Sequence, residues 1–91
     1  MRVADRIRTK LQTAFAPTRL AVTDDSARHK GHAGARPEGE THFTVEIVSA
    51  AFAGMSRVER QRRIYAVLAE ELGGPVHALS LSARAPGEGG A

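Results

Sequence analysis

Ninety-one residues with 42% hydrophobic and 25% charged side chains allow one small core, and the absence of cysteine excludes a disulfide scaffold, a thiolate metal site of the chain's own and a cysteine nucleophile. No apolar run reaches the length of a membrane span or of a secretion-signal core, so a cytoplasmic location is expected. Thirteen Lys and Arg, eleven of them Arg, outweigh the acidic residues by only +3, which invites an acidic or nucleic-acid partner without requiring one.

Val3, Ile7, Leu11, Ala14 and Phe15 recur at steps of three and four, with Arg2, Asp5, Arg6, Arg8, Lys10 and Gln12 around the rest of the circle. That spacing predicts an amphipathic helix. Pro17 disfavours helical geometry at the residue before it and sets the helix end near Phe15. Residues 19–23 read as a short strand with Leu20 and Val22 on one face. Residues 24–40 hold Gly31, Gly34, Pro37 and Gly39 and no large apolar side chain, so they read as a loop. It is longer than most connections in compact domains, and long ordered loops are disproportionately functional. Residues 41–49 then alternate, with Phe43, Val45 and Ile47 sharing a face, and predict a second strand.

Ser56-Arg57-Val58-Glu59 has the pattern of a capping box, in which the Ser56 hydroxyl accepts from the Glu59 N–H and the Glu59 carboxylate accepts from the Ser56 N–H. The helix it opens carries Val58, Tyr65, Leu68 and Leu72 on its expected apolar stripe, widened by Ile64 and Val67, and Gly73-Gly74-Pro75 ends it. Residues 76–83 read as a third strand. The Gly/Pro-rich segment 84–91 reads as a disordered tail beyond a single domain of residues 1–83. The order α-β-β-α-β predicts a two-layer α+β domain with helices on one face of a three-stranded sheet. A crossover through the second helix makes the third strand parallel to the second.

The chemistry centres on histidine. Parity with Leu79 and Leu81 places His77 on the core face, at the rim and partly buried. A lone rim histidine is more often structural than a ligand, yet one free ring nitrogen there suits a metal ligand or proton shuttle. His29 and His32 form an H-x-x-H pair in the loop, a weak metal signal by itself. With His42 and His77 they make four imidazoles, arithmetically enough for zinc but with no carboxylate–histidine spacing in support. Alternation sends His42 to the face opposite Phe43, exposed on the sheet. No nucleophile–base arrangement emerges, so a conventional enzyme is not expected. Arg57, Arg60, Arg62 and Arg63 crowd the start of the second helix, with Glu70 and Glu71 near its end, against the helix macrodipole. They read either as a solvated face or as one basic patch for phosphate or an acidic partner.

Taken together, Val22-Thr23-Asp24-Asp25-Ser26, Gly39-Glu40-Thr41-His42-Phe43, Ile47-Val48-Ser49, Phe52-Ala53-Gly54 and Val76-His77-Ala78-Leu79 resemble the BolA-like family in sequence and order, from about residue 3 to residue 83. The resemblance implies a fold similar to class II KH domains. It implies partnership with a monothiol glutaredoxin and a 2Fe–2S cluster shared with that protein and glutathione, with none bound by the chain alone. It puts the family's strand histidine on His77. The loop ligand falls on His29, through the match to Arg28-His29, with His32 as the alternative. The helix reads Arg60-Gln61-Arg62 where relatives read Arg-His-Arg, at a position that is not a ligand. Some family members are DNA-binding transcriptional regulators, which gives the Arg57, Arg60, Arg62, Arg63 face a second meaning. No Gly-x-x-Gly loop accompanies it, so KH-style binding lacks its usual element. Alone, the chain is expected to be a monomer or weak homodimer, without a membrane. A chain without cysteine cannot supply the thiolates that normally hold such a cluster, but it can contribute one or two imidazoles to one.

Overall fold

The computed structural model describes residues 2–25 and 41–88. Helix α1 (Val3–Phe15) leads into strand β1 (Arg19–Asp24), and the next described element is strand β2 (His42–Val48). A 3₁₀ turn at Ala50–Phe52 connects to helix α2 (Arg57–Val67), a short helix α3 (Ala69–Leu72) continues it, and strand β3 (Ala78–Arg84) ends the sheet. The sheet order is β1-β2-β3. β1 runs antiparallel to β2 with Val22 opposite Val45, and β3 runs parallel to β2 with Leu81 opposite Val45. The expected α+β topology and the parallel third strand are therefore present.

Phe43, Val45 and Ile47 are buried on the face of β2 that meets Ile7, Leu11 and Phe15 of α1. Each such side chain contributes about 1.5–3 kcal/mol by leaving water. Phe15 and Phe52 bring their ring centroids to 4.9 Å, closing the core beneath the 3₁₀ turn. Ser49 seals that corner: its hydroxyl donates to the Phe15 carbonyl at 2.5 Å and accepts from the Ala51 N–H at 3.1 Å.

Three boundaries differ from the sequence expectation. The second helix is interrupted at Leu68, whose φ of −99° and ψ of 17° leave helical values. The break coincides with a tertiary clamp, in which Lys10 reaches Glu70 at 2.8 Å and both Lys10 and Arg6 reach the buried Glu71 carboxylate at 2.9 Å. The apolar stripe of that helix is also displaced. Val58 and Tyr65 are exposed, and the inward positions are Arg60, Ile64 and Leu68. An arginine can occupy such a position because its stem packs while its guanidinium finds acceptors. Finally, the chain does not come loose at residue 84. The strand runs to Arg84, Ala85 is buried, and Glu88 is bound back to α2, so the expected disordered tail is corrected for residues 84–88. Residues 89–91 lie outside the described residues.

Candidate functional site

The beginning of the parallel β2–β3 pair carries the histidines. Register sets His42 opposite Ala78, so His77 stands just before the first ladder position of β3. Two successive amides, of His77 at 2.7 Å and Ala78 at 3.2 Å, donate to the one carbonyl of Thr41. Sharing one acceptor is the irregularity a bulge makes, and strand alternation does not carry through it. His77 is accordingly exposed, not partly buried on the core face as parity predicted. Its ring lies near-parallel to that of His42, centroids 6.3 Å apart and planes inclined by 22°. Sequence alternation had assigned these two residues to opposite faces; the fold sets them side by side.

Both described residues that flank 26–40 are anchored at this end. The Asp25 amide donates to the His42 carbonyl at 2.7 Å, and the Thr44 hydroxyl donates to the Asp25 carboxylate. Thr41 is fully buried, and its hydroxyl forms a 2.8 Å hydrogen bond with Nδ1 of His42. That contact ties one ring nitrogen of His42 to the backbone frame, which fixes the ring's orientation. His29 and His32 lie outside the described residues.

Among the described residues no three His, Cys, Asp or Glu side chains gather as a complete metal site. What the structure presents is an exposed imidazole on a fixed backbone, with a second imidazole beside it. That donor set fits one ligand position of a metal centre whose other ligands come from elsewhere.

The arginines of α2 differ in exposure. Arg57, Arg62 and Arg63 are exposed, whereas Arg60 is buried against β3. Arg63 lines a shallow groove with Ala14, Phe15 and Val67, on the side of the helix facing α1. Ser56 caps the helix, its hydroxyl accepting from the Glu59 amide at 3.1 Å while the Glu59 carboxylate accepts from the Ser56 amide at 3.1 Å. The bonds to Ser56 hold Glu59 below the usual carboxylate range, with Arg63 and Arg62 adding weakly. Of the four arginines, Arg60 alone is withdrawn from solvent.

Two features escaped sequence reasoning. The His42–His77 pairing depends on the bulge-like start of β3, which no periodicity reveals; Pro75 just upstream was the available warning. The Glu88 contact was masked by its Gly/Pro-rich surroundings. Yet Ala85-Pro86-Gly87-Glu88 is itself a turn signature.

Comparison with known proteins adds four findings. A family model described as BolA-like protein matches residues 11–88. BolA-like protein 1 of Homo sapiens is 50% identical over 82 residues, covering 90% of this chain and 57% of its own length. The DNA-binding transcriptional regulator BolA of Escherichia coli is 47% identical over 81 residues, covering 89% of this chain and 73% of its own. The solved structure of BolA1 from Arabidopsis thaliana superposes with a TM-score of 0.84 at 44% identity, covering 94% of each chain. The chain spans little more than half the length of the human relative.

Proposed function

This chain belongs to the BolA-like protein family, and from that premise we propose a non-enzymatic cytoplasmic adaptor that binds a monothiol glutaredoxin and co-ligates a shared 2Fe–2S cluster through His77 and the loop histidine His29, with His32 as the alternative. The observation that carries this reading is the exposed imidazole of His77 on a backbone pinned by the Thr41 carbonyl, in a chain with no thiolate of its own. The cluster, when bound, supplies one-electron chemistry. Its remaining ligands come from the glutaredoxin cysteine and glutathione, and imidazole in place of thiolate on one iron raises the potential. The chain's own work is to present His77 at a fixed point, with Asp25 and Thr41, the described residues that flank 26–40, anchored at the same end of the sheet. His42 stands next to His77, its ring near-parallel at 6.3 Å.

Mixing the protein with cluster-loaded monothiol glutaredoxin tests this reading by visible absorption and circular dichroism. Wild-type protein is expected to give a new spectrum with slower cluster loss, and His77→Ala is expected to abolish both. Unchanged spectra and cluster lifetime in His77→Ala would contradict the proposal.

A second reading is a DNA-binding regulator, favoured by the name of the Escherichia coli relative and by the exposure of Arg57, Arg62 and Arg63. Arg60, engaged by Glu88, is withdrawn from that face. This reading predicts duplex binding that falls steeply with salt and is lost on replacing the three exposed arginines with Ala.

A further inference from the structure

At the far end of β3 lies a cleft of about 610 Å³ between that strand and α2, walled by Arg57, Arg60 and Arg84 together with Met55 and Leu81. Glu88 sits in it. The Arg60 guanidinium donates through both terminal nitrogens to the two Glu88 oxygens, at 2.6 and 2.7 Å, and through one of them to the Ala83 carbonyl at 3.2 Å. The Ala85 amide donates to the same carboxylate at 2.9 Å. This paired-fork geometry is how a guanidinium recognises a carboxylate in general.

The carboxylate arrives by a short, built route. Pro86 takes the second place of a four-residue turn and Gly87 the third, with φ of 85°, while the Glu88 amide donates to the Ala85 carbonyl at 3.2 Å. Pro then a positive-φ glycine is the type II turn arrangement. Pro86 and Gly87 of the turn are exposed, and Glu88 remains 38% accessible.

The cleft has more recognition capacity than Glu88 uses. Arg57 on its wall makes no ion pair among the described residues. Met55 and Leu81 give an apolar wall for the stem of an acidic side chain.

We propose that this cleft is a receptor for an acidic side chain of a partner protein, and that Glu88 is an intramolecular stand-in that keeps it closed until displaced. The site lies at the other end of the sheet from His77 and does not depend on the cluster reading. A latch closed in about nine of ten molecules weakens an outside ligand about tenfold, so opening it restores that factor.

The test is binding of fluorescein-labelled hexaglutamate to the full chain at low salt, by anisotropy, with amide chemical shifts in parallel. Glu88→Gln is expected to bind about tenfold more tightly than wild type, with shifts confined to α2 and the end of β3. Adding Arg60→Gln is expected to remove the gain. In wild type, excess peptide is expected to move the Ala85 and Glu88 amide signals as the latch opens. That reading decides the matter even if a variant fails to fold. Equal affinity of Glu88→Gln and wild type, unmoved Ala85 and Glu88 signals, or a gain for duplex DNA but not for hexaglutamate would each overturn the proposal.

Discussion

Where β2 and β3 begin, His42 and His77 stand side by side with the ring of His77 exposed; where the same strands end, about 20 Å further along at ~3.3 Å per residue, Arg60 and Glu88 are clamped by two short charge-assisted hydrogen bonds. The histidine end fixes its backbone and leaves a ring exposed, the arrangement of a group that takes a ligand from outside. The arginine end engages both terminal guanidinium nitrogens from within and buries the side chain. Both ends rest on the same strand pair and the same core, so their difference lies in the few residues at each rim.

The largest way to break the comparison is to damage what the two ends share. Ile47 is fully buried in the middle of the sheet, and Ile47→Ala is expected to cost about 2–5 kcal/mol, disturbing both rims together. Urea unfolding reads the loss, and amide spectra of both rims read its spread; damage confined to one end would show that the ends do not share a frame.

Removing the α2 cap separates them. Ser56→Ala is expected to cost about 1 kcal/mol by leaving the Glu59 amide unpaired. Amide signals around Arg60 and Glu88 should move, while those of His42 and His77 stay in place.

Acid sharpens the contrast further. The hydrogen bonds from Arg60, then from the Ala85 amide, hold Glu88 down from 4.5 to about 2. A depressed carboxylate stabilises the fold above its unfolded value and loses that contribution as protons bind. The latch therefore contributes fully above about pH 4.5 and is lost as pH falls toward about 2. The difference in urea midpoint between wild type and Glu88→Gln should shrink across that window. A difference constant from pH 5 to pH 2 would refute the assignment.

The smallest effect serves as a control for both ends. Ala16 caps α1 in the left-handed region with φ of 43°, where a Cβ is strained. Ala16→Gly is expected to raise stability by up to about 1 kcal/mol and to leave both rims unaltered. A decrease in the urea midpoint would contradict it.

Most of the frame was legible because it rests on periodicity. The stripe through Ile7, Leu11 and Phe15, the alternation of Phe43, Val45 and Ile47, and the Ser56–Glu59 box all announce themselves locally, and each forms as expected. The inward face of α2 did not, because Arg60 occupies a core-facing position and its acceptors come from Ala83 and Glu88, more than twenty residues away. His77 was legible as a ligand candidate through family resemblance, but its surroundings were not. Parity assumes a regular strand, and the shared Thr41 carbonyl makes the start of β3 irregular. The tail was misread because glycine and proline mark both disorder and tight turns. Only the Arg60 partner distinguishes the two.

Pulsed electron paramagnetic resonance of the one-electron-reduced complex with a cluster-loaded monothiol glutaredoxin tests the central claim most directly. Wild-type protein carrying nitrogen-15 only in its histidines is expected to show strong hyperfine coupling from imidazole nitrogen at the cluster, and His77→Ala is expected to lose the contribution of that ligand. Spectra with no histidine nitrogen coupling, or identical in wild type and His77→Ala, would contradict the account.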